Sequence, residues 1–352
     1  MKKFGIISGF LGAGKTTLMI ELFRCFSGRG IRCELIANDL GECEMVDARY
    51  SEKQGAAVNA MPGGCICSRT TELKDILGKK LAGGAEIILS DVPGCGVGAL
   101  DTVYRDMKTE DTELAPFITV VSPEQLGLLS DEDVSYRLHL PKEMDGILRA
   151  EIEEADAVVI NKTDTMTEED ILTSEKLIRD ISSDIRVFTV SAKNSSGIDE
   201  LAEYILTEKA SLAQPEGLGE RPEAVLPQFK LSWYDSRYYV KVCCDDFSPD
   251  EYLSDLMENA RFSFASMNAN IPHLKIFAAG QEGDYAKYSL TGIDYPVGKD
   301  QPYGKRATEL TVIINARFLC PAALAGQIMK AVIDTAGKKH NLDTMIYLTT
   351  CK

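Results

Sequence analysis

An apolar run, Phe4–Ile7, leads directly into Gly9-Phe10-Leu11-Gly12-Ala13-Gly14-Lys15-Thr16-Thr17, and an amphipathic stretch, Thr16–Phe26, follows. The nine residues fit G-x-x-x-x-G-K-[ST], placed between a strand and a helix as the mechanism of that motif requires. Its glycines let successive backbone N–H groups turn inward around a phosphate, and the helix start adds partial positive charge. Gly9, Gly12, Ala13, Gly14, Lys15, Thr16 and Thr17 therefore form the expected phosphate cradle. Lys15 would reach the outer phosphates, and the Thr16 hydroxyl a Mg²⁺ ion.

The pattern continues for about 210 residues. Short apolar runs at Glu34–Ala37, Ile87–Leu89, Phe117–Val121, Ala157–Ile160 and Val187–Val190 alternate with amphipathic ones at Thr71–Leu81, Glu143–Ala155, Ser174–Ile181 and Ile198–Ile205. Continuously apolar strands separated by helices predict an α/β fold with a parallel sheet covered on both faces. Residues 211–228 are rich in Pro, Gly and Glu and have the composition of a linker. Beyond it, a strand at Tyr238–Val242 precedes a helix opened by Ser248-Pro249-Asp250-Glu251, with a capping serine and a first-turn proline. Strands at Leu274–Ala278, Ala286–Leu290 and Leu310–Ile314 and a last helix at Pro321–Ala336 complete a β-α-β-β-β-α order. The expected domains are 1–210, a linker 211–228, and a smaller α+β domain 229–352.

Charge narrows the partners. Among 352 residues, 38 Lys and Arg oppose 54 Asp and Glu, for a net charge of −16. Such a surface repels phosphate backbones and anionic lipid, so nucleic-acid and membrane binding are poor expectations. A bound nucleotide then needs a local device, and the glycine-rich loop is one. No run approaches the roughly 18 apolar residues of a membrane helix. The stretch after Met1-Lys2-Lys3-Phe4 is broken by Gly5, Ser8 and Gly9, unlike a signal peptide. Ten unevenly spaced cysteines suit reduced thiols in a cytoplasmic protein.

The strand Ala157–Ile160 ends in Asn161-Lys162-Thr163-Asp164. A carboxylate at that place can accept from guanine N1–H and the exocyclic amine together. Adenine lacks the amine and presents a lone pair, leaving the carboxylate desolvated and unpaired. Asn161 can brace the loop and contact the base, and the stem of Lys162 can lie over the ring. Ser191-Ala192-Lys193, after the next strand, offers a backbone N–H to guanine O6. The strand at Ile87 ends in Asp91-Val92-Pro93-Gly94, where Asp91 can hold Mg²⁺ and the Gly94 N–H can sense a γ-phosphate. Asn38-Asp39-Leu40-Gly41-Glu42 follows the second strand, and either Asp39 or Glu42 is placed to orient attacking water. No arginine finger can be identified.

Pro62-Gly63-Gly64-Cys65-Ile66-Cys67-Ser68 sets two thiols two residues apart in a glycine-rich loop. Both can face one soft ion, and thiolates favour Zn²⁺, Cu⁺ or Co²⁺ over Mg²⁺. Two ligands leave a tetrahedral site open. Cys43, just past Glu42, and Cys95, just past Gly94, lie in loops that respond to the γ-phosphate and are the candidates to complete it. Cys25, Cys33 and Cys320 read as core residues, Cys243 and Cys244 as opposite faces of a strand, and His139, His273 and His340 as isolated packing or surface groups.

These residues together resemble one family. G-F-L-G-A-G-K-T-T, N-D-L-G-E, G-G-C-I-C, D-V-P-G, and E-I-E-E-A-D-A-V-V-I-N-K-T-D from Glu151 to Asp164 are similar, in order, to the CobW family of GTPases, relatives of the nickel-insertion GTPases of urease and hydrogenase. The tail resembles that family's C-terminal domain only loosely. The resemblance implies GTP hydrolysis coupled to delivery of a metal or metal cofactor, such as zinc, cobalt or cobalamin, to a client protein. It also implies a nucleotide-dependent homodimer. Three departures stand out: Ser68 replaces the third cysteine of a usual C-x-C-C, Asp91 stands for a usual Glu, and a His-rich run is absent. The first bears most on the metal, since two thiols leave its identity, or a cofactor in its place, open. Two rival readings are a GTP-dependent reactivation factor for a corrinoid or other cofactor enzyme without its own metal site, and a small-molecule kinase.

Overall fold

The computed structural model describes residues 2–38, 45–92, 97–108, 112–130, 144–222, 231–242 and 245–352. The chain divides into two compact units, 1–40 with 51–228, and 41–50 with 229–352.

The first unit is built on a parallel sheet in the order β3-β2-β4-β1-β6-β7-β8. Its strands are β1 (Lys3–Ser8), β2 (Cys33–Asn38), β3 (Val58–Met61), β4 (Ile87–Asp91), β6 (Ile118–Val121), β7 (Ala157–Ile160) and β8 (Arg186–Thr189), while the two-residue β5 (Glu113–Leu114) pairs with β1. Alternate residues feed opposite faces, as the pleat requires. Ile7, Leu35, Leu89, Val120 and Val159 pack with α1 (Lys15–Gly28). Phe4, Ile6, Ile36 and Ile88 pack with Leu73 and Leu77 of α3 (Thr70–Ala82), which follows the short α2 (Val46–Lys53). After the single turn α4 (Pro123–Leu126), helices α5 (Asp145–Glu154) and α6 (Glu168–Ile181) cover β7 around Leu148, Ile152 and Ile178. Helix α7 (Ile198–Thr207) joins the α1 face through Ile198, Leu201 and Ile205.

All these strands run the same way, so the C-terminal ends of β1, β2, β4, β6, β7 and β8 lie along one edge, where open α/β sheets bind ligands. Gly9 is indispensable there. It has φ of 130°, and a Cβ would lie 2.1 Å from the Val120 carbonyl oxygen.

The stretch with linker composition, 211–228, is anchored to the first unit as far as it is described. The Arg105 guanidinium donates to the carbonyls of Leu212 and Gln214, the Asp101 carboxylate accepts from Gly217 N–H at 2.8 Å, and Asp156 accepts from Ser211 N–H at 3.1 Å. The stretch carries one 3₁₀ turn, Leu218–Glu220, and composition could not reveal its long-range polar anchors.

In the second unit a six-stranded antiparallel sheet has the order β12-β11-β10-β13-β9-β14. The strands are β9 (Ser232–Val242), β10 (Asn270–Ala279), β11 (Tyr285–Leu290), β12 (Gly298–Gln301), β13 (Glu309–Leu319) and β14 (Leu342–Cys351). Helices α8 (Pro249–Ser266) and α9 (Ala322–Lys339) bury Leu253, Met257, Met329 and Ile333 in its core. The order is therefore β-α-β-β-β-β-α-β: β12 and β14 are additions to the expected pattern, and the last helix is not the last element. Within this unit Val46 packs on Phe277 and Ile313, its N–H donates to Asn315 Oδ1 at 2.7 Å, and Asp47 pairs with Lys275. Among the described residues no helix is long and apolar enough to cross a membrane.

Candidate nucleotide and metal site

The phosphate loop closes on itself. Ala13 N–H donates to Phe10 O at 3.3 Å, Gly12 and Gly14 take φ of 82° and 94°, and α1 begins at Lys15. Positive φ at these glycines is what turns the amides inward. The Lys15 ammonium donates to the carbonyls of Gly9 at 2.5 Å and Phe10 at 3.3 Å, so it lies folded over the loop it would share with a phosphate. Thr16 and Thr17 occupy the first turn, both half-buried.

Asn161 joins the phosphate loop to the turn after β8. Its Nδ2 donates to Ala13 O at 2.9 Å, and its Oδ1 accepts from Ala192 N–H at 3.1 Å. A Cβ on Gly14 would lie 2.3 Å from that Nδ2. Lys162 takes a left-handed φ of 63°, and its amine pairs with Glu124 at 3.3 Å. The exposed Asp164 accepts from the Ser191 hydroxyl at 2.7 Å, which fixes one carboxylate oxygen at the loop carrying Ala192 and Lys193. The expected guanine readers thus share one edge of the sheet.

Asp91 closes β4 beside β1 and is 7% exposed. Its Oδ1 accepts from Asn38 N–H at 2.7 Å. A nearly buried carboxylate at a strand end, beside the phosphate loop, is a donor set suited to Mg²⁺ with Thr16. Asp39, Glu42, Cys43, Gly94 and Cys95 lie outside the described residues, as do His139, Cys243 and Cys244.

Asn38 is the structural link that reading the sequence missed. Its side chain donates to Met61 O at 2.9 Å and Gly64 O at 2.8 Å, and accepts from Ile66 N–H at 3.1 Å. It therefore brackets Cys65 from both sides while its own N–H is held by Asp91. A polar amide directly after the apolar run Leu35–Ala37 was the available signal, because a buried asparagine has to satisfy its hydrogen bonds somewhere.

Cys65 and Cys67 stand around a single 3₁₀ turn, Ile66–Ser68, half-buried against the core cluster that includes Ile66, Leu100 and Val103. Cys67 N–H donates to Cys65 Sγ at 3.4 Å. Hydrogen bonding from Cys65 and then from Thr102 outweighs burial and lowers the Cys67 thiol to about 7. The Ser68 hydroxyl donates to Cys65 O at 2.9 Å, so it braces the turn. Among the described residues, no three metal-binding side chains come together.

Two buried carboxylates lie beneath this edge on α5. Burial raises Glu151 to about 8 against the pull of Lys15, and raises Glu154 to about 7 against the N–H groups of Leu100 and Gly98. Neither Glu151 oxygen makes a geometrically good hydrogen bond among the described residues, although Phe10 N–H lies near enough to favour its charge.

The CobW/HypB/UreG nucleotide-binding domain matches residues 3–189. Zinc-regulated GTPase metalloprotein activator 1 of Dictyostelium discoideum is 26% identical over 212 residues, 52% of this chain and 44% of that protein. Zinc chaperone YjiA of Escherichia coli (strain K12) is 36% identical over 73 residues, 20% of this chain and 22% of that protein. The matched stretch spans less than half the length of these curated relatives. Among solved structures, HypB from Helicobacter pylori in complex with nickel aligns with a TM-score of 0.41 at 16% identity, covering 58% of this chain and 85% of that one. Zn(II)-bound YjiA GTPase from E. coli aligns at 0.36 and 14% identity, covering 94% and 98%. With more than half of its residues inside the matching domain, the chain belongs to the CobW/HypB/UreG family.

Proposed function

We propose that the chain is a GTP-hydrolysing switch that couples the state of its nucleotide to a transition-metal ion on Cys65 and Cys67 and to delivery of that ion to a client metalloenzyme or cofactor protein. The observation that carries this reading is the double role of Asn38. One residue is held by the carboxylate next to the phosphate loop and itself holds the backbone on both sides of Cys65.

On nucleotide binding, the Lys15 ammonium exchanges the Gly9 and Phe10 carbonyls for phosphate oxygens. Asp164, oriented by Ser191, accepts from guanine N1–H and its amine, while a backbone N–H of the Ser191-Ala192-Lys193 turn serves O6. Bound at Thr16 and Asp91, Mg²⁺ would neutralise charge gathering on the outer phosphates. Asp39 or Glu42 orients the water, and Gly94 reports the γ-phosphate. Cys43 and Cys95 are the candidates to complete the soft site, for Zn²⁺ or Co²⁺. Turnover is slow without a partner, because no arginine finger is evident. We place the protein in the cytoplasm, acting as a homodimer formed across bound nucleotide, with domains at 1–210 and 229–352. Phosphate release from GTP but not ATP tests the reading; equal release from both contradicts it.

The use of Ser68 to brace the turn favours a second reading, in which the switch reactivates a corrinoid or other cofactor enzyme and carries no metal. Replacing Cys65 and Cys67 together by alanine separates the two. Full client activation by the double variant selects the second.

A further inference from the structure

Strand β14 (Leu342–Cys351) forms one edge of the second unit's sheet. It pairs with β9 along one side, and among the described residues no strand lies along the other. Such an edge offers a row of main-chain N–H and C=O groups to another strand. The opposite edge is guarded, since β12 is only four residues long and carries Lys299 and Asp300. By contrast, β14 has ten residues and a single charge, Asp343, near its start. In its middle, Met345, Ile346, Tyr347 and Leu348 are 59%, 41%, 61% and 43% exposed. Consecutive exposed apolar side chains on an open edge mark an interaction surface.

The strand is complementary to itself. A β-bulge between Ile346 and Leu348 adds one residue, so Met345, opposite Tyr239, and Leu348, opposite Arg237, fall on the same face. By the same register Asp343 and Thr350 share that face, and Thr344 and Thr349 share the other. Two copies can therefore run antiparallel about a two-fold axis at the Ile346–Tyr347 peptide. Met345 then meets Leu348 of the second copy, Thr344 meets Thr349, and Asp343 meets Thr350, each pair on a matching face. Without the bulge these partners would point to opposite faces. Charge agrees with this register. The net charge of −16 sets whole chains against each other, but here the two Asp343 carboxylates lie about 24 Å apart, beyond a screening length. Lys352 extends the pairing with β9 through Trp233, at 2.8 and 2.9 Å, and becomes the diagonal neighbour of Asp343 across the two-fold.

We propose that β14 is the contact of a homodimer distinct from the one across bound nucleotide, in which two copies join their antiparallel sheets edge to edge. Neither nucleotide nor metal takes part in it. A single strand pair covers less than the roughly 1,600 Å² of a standard interface, so the association is weak, in the micromolar range.

Sedimentation equilibrium of the full chain, free of nucleotide, with EDTA and a reducing agent, at about 1 to 200 µM tests this. The average mass is expected to climb from that of one chain towards two. Met345→Lys and Leu348→Glu, both at exposed positions, should each weaken association about tenfold or more and leave the melting temperature unchanged. Combined in one chain, the two substitutions set opposite charges face to face twice, and association should return to within about threefold of the wild type. A wild type that stays monomeric, or dimerises only when nucleotide is added, overturns the inference. So does association that both single substitutions leave intact, or that the combined substitutions fail to recover.

Discussion

Asp164 and Cys67 are the residues whose chemistry is most exposed to test. Asp164 is oriented by Ser191 at the edge that carries the phosphate loop. Asp164→Asn exchanges an acceptor for a donor opposite the guanine amine. Calorimetry should show GDP affinity falling about a hundredfold or more, with xanthosine diphosphate rising to replace it. Unchanged GDP affinity would remove Asp164 from base recognition. Cys67, lowered to about 7, should react with iodoacetamide at a rate that climbs between pH 6 and 8. The Cys33 thiol, pushed far up by burial, should stay inert at pH 9. A Cys67 midpoint near that of an ordinary thiol would contradict the hydrogen bonding described for it. Both positions stood out in the sequence because a strand end and a glycine-rich loop mark them. Asn38 did not, since its importance lies in three hydrogen bonds to backbone far away in sequence.

At the scale of elements, the phosphate loop stands on one tight approach. Gly9→Ala places a methyl 2.1 Å from the Val120 carbonyl oxygen, so β6 and the loop cannot both keep their places. Loss of all measurable nucleotide binding is expected, and retained micromolar affinity would contradict the packing. Helix α5 carries the opposite lesson. Glu151 is fully buried, with its carboxyl raised to about 8 from an ordinary value of 4.5. A group raised in the folded state stabilises it fully only below its unfolded pKa. That contribution is lost as pH climbs towards the folded value. Between the unfolded and the folded value the wild type therefore loses stability at this residue as pH rises. Glu151→Gln, which cannot ionise, should raise the melting temperature of nucleotide-free protein more at pH 8 than at pH 5.5. An equal shift at both would show that Glu151 stays charged in the folded protein.

For the molecule as a whole, the first unit was the more legible because its buried parallel strands are continuous apolar runs, as β4 and β7 illustrate. The parts missed there are marginal: β3, Val-Asn-Ala-Met at the sheet edge, and the two-residue β5. In the second unit, β12 is Gly-Lys-Asp-Gln and carries no apolar signal. Edge strand β14 leaves Met345 to Leu348 exposed, so no alternation marks a buried face. Strand β9 begins six residues earlier than its apolar run, because Asp235 is buried through Asn315 and Ser236 through Thr349. Such pairing is invisible until β13 and β14 are in place. The assignment of residues 41–50 to the second unit is likewise a tertiary fact, fixed by Val46 on Phe277 and Asp47 on Lys275.

The central claim is that one nucleotide governs how two thiols hold a metal. It is met most directly by Zn²⁺ affinity, measured by competition with a chromogenic chelator, on protein saturated with Mg²⁺ and either GDP or a non-hydrolysable GTP analogue. The account predicts a difference of about tenfold or more that vanishes when Cys65 and Cys67 are both alanine. Identical affinities in the two nucleotide states would contradict it.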